Sequence, residues 1–259
     1  MQTERLVDLS CDLGEAVDAD HDLIEEQLWP LITSANVACG GHTGDPGSME
    51  RAVERAQNHS VLLGAHPSFP DRENFGRRSM SISPALLHDS LLEQLLTLAA
   101  IAAGFGVHLT HVKPHGALYN DAYHDAELAG TIVAAVRSFD PAAAIVASPR
   151  SLLHEAAQNE GMAVVAEAFA DRRYRADGSL VPRSEANALL LAVREAADQA
   201  LSLASSRLVA ADTGVPLEVR FHTLCIHGDM PDAVARLTAI RARLSNAGFG
   251  FTHLARQPG

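Results

Sequence analysis

The chain has 259 residues, 47% of them hydrophobic and 20% charged, which is too apolar and too evenly charged for an intrinsically disordered protein. Thirty-two acidic against twenty basic residues give a net charge of −12 without a basic stripe, so neither a nucleic-acid nor a membrane partner is expected. No apolar run is read as reaching the roughly 18–20 residues of a membrane span. The N-terminus lacks the layout of a signal peptide, and three widely spaced cysteines argue for a reducing, cytoplasmic setting over a disulfide framework.

Short β-rich runs alternate with longer helical patterns, the signature of parallel βα units. RLVDLS (5–10) is predicted as the first strand, followed by a helical stretch at 21–31 and a second strand at 33–38. A Gly-rich turn then leads into a helix capped by Asp45 with Pro46 in its first turn. A third strand at 61–65 and a long loop precede a helix capped by Ser83, opened by Pro84 and ending at Gly104. Strands at 107–112, 144–147, 162–168 and 218–226 follow, with helices near 125–137, 151–160 and 185–207. The last helix is expected to start near Pro231, and 248–254 reads as an eighth strand or a tail. One domain over 1–259, a β/α barrel of seven or eight strands, accounts for this order.

The unusual residues cluster just after the predicted strands. They are DLSCDLGEA (8–16), SANVACGGHTGDP (34–46), GAHPSFPDRENFGRR (64–78), HVKPHGALYN (111–120), EAFADRRY (167–174) and CIHGDMP (225–231). In a parallel barrel these loops share the C-terminal face, where active sites are built. Asp8, Asp12 and Glu15 place carboxylates at one strand end, able to act as a base, hold a metal or cap a turn. His66 is held extended by Pro67, and Lys113 and His115 flank Pro114. Thirteen histidines accompany a single lysine, Lys113; the other nineteen basic residues are arginines. A chain that uses arginine everywhere else has reason to need a compact ammonium at 113. The cysteines read as packing residues, and no P-loop pattern occurs.

Together these six strings, in this order over roughly residues 5 to 245, resemble the LamB/YcsF family of 5-oxoprolinase A subunits. Ser10, Gly41 and Thr43 depart from the family's usual residues at their positions. The resemblance implies a distorted β/α barrel related to glycoside hydrolases and polysaccharide deacetylases. It also implies ATP-dependent opening of 5-oxo-L-proline to L-glutamate with ADP and phosphate release, together with subunits B and C and Mg2+. On that chemistry Asp12 is the expected base, Lys113 the partner of the oxyanion or phosphate, and His115 the proton donor. Asn36, His42, His66 and Arg77 are expected to bind substrate, and no metal ligand set is assigned. Two other readings stand beside this one. The first is a metal-dependent hydrolase with Asp12, His42 and His66 as ligands; the second is a non-catalytic lactam-binding subunit.

Overall fold

In the computed structural model, which describes residues 5–230 and 232–254, strand β1 (Arg5–Leu13) runs three residues past the predicted 5–10. Next along the chain come β2 (Ser34–Ala38), β3 (Leu62–His66), β4 (His111–Val112), β5 (Ala144–Ala147) and β6 (Val164–Phe169). A two-stranded antiparallel hairpin, β7 (Leu208–Ala210) and β8 (Pro216–Glu218), stands outside the sheet. β9 (Thr223–His227) pairs in parallel with both β6 and β1, so seven parallel strands close into a barrel. β10 (Phe249–Phe251), expected as an eighth strand or a tail, pairs only with Arg5–Val7 at the start of β1 and stays outside the ring.

Most helix starts are where the caps predict. Asp45 and Ser48 form a reciprocal capping box at α2 (Pro46–His59), and Ser83 caps α3 (Pro84–Gly104). α1 (Ala19–Leu28) continues into a short 3-10 turn, and α4 (Gly116–Asp121) is a short helix the sequence pattern did not suggest. α5 (Ala126–Phe139) and α6 (Leu152–Asn159) are capped by Asp125 and Ser151. α7 spans Val193–Ser206, a later start than 185, because residues 186–192 are tied into the loop after β6. There Arg173 N donates to Ala188 O and Leu190 N to Asp171 O, while the Arg236 guanidinium binds the carbonyls of Leu190 and Leu191. α8 is Ala233–Asn246; Pro231 lies outside the described residues. β4 is shorter than 107–112 because its ladder reaches back only to the bond from Thr110 N to Leu63 O.

α3 corrects one expectation: by length and composition it is apolar enough to cross a membrane. In this fold Leu87, Leu91, Leu95 and Leu98 are buried against the core, and Gln94 binds both backbone polar groups of Ser68.

Side-chain alternation along β1 divides its residues between two environments. Leu9, Cys11 and Leu13 pack outward into the main core with Leu28 and Trp29. Asp8, Ser10 and Asp12 face the barrel interior, where small apolar residues on β5 and β6 form a separate cluster. Asp8 is therefore not at the strand end with Asp12, as the shorter strand implied. It lies four residues, about 13 Å, further down the barrel. There it accepts hydrogen bonds from Thr33, Ser34 and Thr223.

Candidate active site

Lys113, immediately after β4, projects into the centre of the barrel. Its Nζ donates to Asp12 Oδ1 and Oδ2 at 2.8 and 3.1 Å and to Cys225 Sγ at 3.1 Å, and it lies 2.9 Å from Glu167 Oε1. Burial works against the ammonium, but the carboxylates of Asp12 and Glu167 outweigh it and hold Lys113 well above the usual lysine value. Burial likewise opposes ionisation of Asp12, yet His66 and Lys113 keep its carboxyl well below the usual carboxylate range. Burial pushes Glu167 the other way, upward, against the pull of Lys113. Cys225 is also raised, chiefly by burial, so it stays a protonated thiol and not a nucleophile.

A second layer holds Asp12 from below. Asn36 Nδ2 donates to Asp12 Oδ1 at 2.8 Å, and His111 Nε2 meets Asn36 Oδ1 at 3.0 Å. Burial and Lys113 depress His111 to about 3, so its ring is neutral and Nε2–H donates. The close pass of this ring requires glycine at 64, where a Cβ would sit 2.2 Å from His111 Nε2.

Three histidines stand above Asp12. His66 Nδ1–H donates to the Lys113 carbonyl at 2.7 Å, and His115 Nε2–H donates to the Phe75 carbonyl at 3.0 Å. Those carbonyls can only accept, so they assign both outer protons. The inner nitrogens, His66 Nε2 and His115 Nδ1, face each other at 3.1 Å and share at most one proton. Asp12 Oδ2 lies 3.3 Å from His66 Nε2, and Glu15 Oε1 lies 3.3 Å from His115 Nδ1. His42 Nε2 contacts the same Glu15 oxygen at 2.9 Å. Burial lowers His42 to about 4 and also lowers His115. Burial opposes ionisation of Glu15, but its hydrogen bonds to His115 and His42 hold it well below the usual range.

Glu15, His42 and His115 bring ligand-type atoms within 4.8 Å of one another. The His42 and His115 rings, however, are stacked at 3.6 Å and parallel to within 1°. No point lies in both ring planes, as two metal–imidazole bonds would require, so this trio fits a hydrogen-bonded cluster on Glu15 better than a metal centre. Of the set Asp12, His42 and His66, Asp12 Oδ2 and His66 Nε2 lie 3.3 Å apart, while His42 places Nε2 on Glu15 and leaves its buried Nδ1 without a partner among the described residues.

The site opens into a cavity of about 620 Å³ lined by Asp12, Glu15, His66, Lys113 and His115, with Arg77 at its rim. Asn36 and His42, expected to touch substrate, are not among its lining residues. Both side chains are spent holding the acids, Asn36 under Asp12 and His42 against Glu15. Arg77 is paired with Asp229, which Arg183 also meets. His227, at the end of β9, lines the cavity as well and escaped the sequence reading. Asp171 accepts from His227 N and holds its Nδ1 at 3.1 Å, which leaves Nε2 as the ring nitrogen available to the cavity. Glu167 and His111 were also missed. For Glu167 the signal was a lone acid in an otherwise apolar strand; His111 gave no such signal, since its predicted strand also carries His108 and Thr110.

The LamB/YcsF family profile matches residues 7–258. A relative from Symbiobacterium thermophilum, named as the A subunit of 5-oxoprolinase, is 45% identical over 244 residues, covering 94% of each chain. One of the same name from Tolumonas auensis is 45% identical over 242 residues, 93% of this chain and 96% of its own. The crystal structure of a lactam utilization protein from Thermus thermophilus superposes with a TM-score of 0.88 at 40% identity, covering 96% of this chain and all of that one. A peptidoglycan N-acetylglucosamine deacetylase domain from Eubacterium rectale, at 12% identity and TM-score 0.54, shares the fold, covering 100% of this chain and 92% of its own. With the profile spanning nearly the whole described chain and the barrel matching throughout, this protein belongs to the LamB/YcsF family.

Proposed function

We propose that this chain is the lactam-opening component of an ATP-dependent 5-oxoprolinase. It hydrolyses 5-oxo-L-proline to L-glutamate, with ADP and phosphate released, in company with subunits B and C. The relatives' names support the substrate, and their designation as one lettered subunit supports an assembly of several chains. The observation that carries the chemistry is the pair of inner imidazole nitrogens, His66 Nε2 and His115 Nδ1, at the floor of the cavity between Asp12 and Glu15.

A five-membered lactam is a stable amide with a poor leaving group. Opening it requires water to lose a proton as its oxygen adds to the carbonyl carbon, and the ring nitrogen to gain a proton as the C–N bond breaks. The His66–His115 pair is built for both steps, because its outer protons are fixed on backbone carbonyls and one inner site is free to take a proton and return it. The two ionised acids beside it stabilise the imidazolium in between. Asp12, held far below neutral, is a weak base and acts instead as the anchor of Lys113 and His66. His227, oriented by Asp171, is a second proton carrier on the opposite wall.

Bound ATP with Mg2+ would supply a phosphoryl group to the amide oxygen and make the carbonyl carbon more electrophilic. Once water has added and the C–N bond has broken, that oxygen belongs to an acyl phosphate, which a second water cleaves to carboxylate and phosphate. Arg77 and Arg183 at the rim share Asp229, so the trio keeps one net positive charge to meet that phosphoryl group. The Gly40–Gly41 turn is packed inward, with Gly40 N bonded to Thr43 O and no space for a Cβ at Gly41 beside Gln94 and Ser68. The test is glutamate and phosphate release from 5-oxo-L-proline and ATP by the chain with and without subunits B and C. Coupled release only in the complete mixture is expected; no glutamate in any combination would overturn the reading.

A further inference from the structure

Four arginines line the outer part of the cavity, and three of them are paired with carboxylates. Arg77 and Arg183 share Asp229, and Arg175 lies between Glu185 and Asp212. Arg172 differs. It is 3% exposed, yet among the described residues no carboxylate oxygen lies within 4.0 Å of its guanidinium. Its Nη2 donates to the Val181 carbonyl at 2.7 Å, and its Nε has no partner. The neighbouring acid, Asp171, is committed to His227. Burial, with Arg183 nearby, lowers Arg172 to about 10, which leaves it charged at neutral pH.

A buried cation without a counter-ion is costly unless a ligand brings the anion. The inner part of the cavity has the opposite imbalance, with Asp12, Glu15 and Glu167 set against the single ammonium of Lys113. A ligand bearing a carboxylate at one end and an amide at the other matches this polarity. We propose that Arg172 is the carboxylate-binding residue of the substrate site. It holds the lactam acid so that its amide points toward His66 and His115. This rests on the lactam reading above, and it makes Arg172 the residue that separates lactam acids from neutral lactams. A planar guanidinium suits a carboxylate better than an ammonium does.

The experiment is calorimetric titration of the full chain with 5-oxo-L-proline, with 2-pyrrolidinone (the same ring without the carboxylate) and with inorganic phosphate. Wild type, Arg172→Gln and Arg172→Lys are compared. Wild type is expected to prefer the acid. Arg172→Gln should weaken 5-oxo-L-proline binding about 10- to 100-fold, to the level of 2-pyrrolidinone, and leave 2-pyrrolidinone unchanged. Arg172→Lys should fall between them. An Arg172→Gln chain that still prefers the acid overturns the assignment. So does one that loses both lactams equally, which marks a role in the scaffold, or one that loses only phosphate. If wild type binds neither lactam, the lactam reading itself fails and takes this inference with it. If wild type binds the acid and the variants match it, only the inference falls.

Discussion

Lys113 and Asp12 are 101 positions apart in the chain, yet the lysine ammonium meets both oxygens of the aspartate at 2.8 and 3.1 Å in the buried centre of the barrel. The only lysine of the protein is thus an internal counter-ion before it is anything else. It holds Asp12 and Glu167 together, and through Asp12 it sets the position of His66.

Removing that charge should be severe. Lys113→Met leaves two buried carboxylates without their cation and is expected to lower stability by about 3–5 kcal/mol. Lys113→Arg keeps the charge but forces a larger planar group into a filled space. It should cost about 1–3 kcal/mol from overpacking and reduce turnover on the order of 100-fold. Thermal melts and glutamate release on both variants check this. A Lys113→Arg enzyme with wild-type turnover would remove Lys113 from the chemistry.

The Asp171–His227 pair gives a separate prediction. His227→Gln takes the proton carrier from the cavity wall and should lower turnover on the order of 100-fold or more. The ring also stacks on Phe169 and partners buried Asp171, so the melt should report a loss of about 1–3 kcal/mol, and turnover is compared per folded protein. Asp171→Asn releases the tautomer of His227 and should lower turnover in the same direction. Unchanged turnover in His227→Gln would leave proton transfer to His66 and His115 alone.

Stability should carry a pH dependence from Asp8. Burial raises its carboxyl from 3.8 to about 6, against hydrogen bonds from Ser34, Thr223 and Thr33. The native state therefore holds this proton up to about pH 6, whereas the unfolded chain releases it near 3.8. Between those values folding takes up a proton, so this group's contribution falls as pH rises. Asp8→Asn removes the effect. Relative to wild type, the variant should gain on the order of 2 to 3 kcal/mol between about pH 4 and pH 7. Denaturant midpoints at the two pH values measure it, and a constant difference would contradict the raised carboxyl.

Gly64→Ala tests the support beneath the site. The added Cβ would lie 2.2 Å from His111 Nε2, so the ring must move and release Asn36, which holds Asp12. A loss of about 1–3 kcal/mol is expected, with reduced turnover in the fraction that remains folded. Full activity with an unchanged melt would show that the His111–Asn36 chain is dispensable.

Much of the barrel was legible along the chain because its signals are local. Asp45-Pro46 and Ser83-Pro84 mark helix starts through side chains bonding nearby backbone groups, and apolar runs such as AIVA (144–147) mark buried strands. The end of β1 was not legible. Asp12 is polar and reads as loop, although it pairs in the strand with Asn36 and His227 on either side. The start of α7 was hidden for a related reason, since residues 186–192 are held by Asp171, Arg173 and Arg236 from elsewhere in the chain.

The parallel barrel and the C-terminal face of the site follow from the order of residues, because strand–helix alternation and strand-end clusters are properties of position along the chain. The sequence also singled out Asp12, His66, Lys113 and His115, all of which reach the cavity. What each of them touches emerges in the folded barrel alone. Asn36 and His42 became supports, Lys113 a buried counter-ion, and Glu167, His227 and Arg172, until then only members of strand-end clusters, took individual places in the site. The reason is geometric. Which side chains point inward depends on register to within one residue, and a closed barrel brings groups about a hundred positions apart into hydrogen-bond contact, where burial and neighbouring charge decide their chemistry.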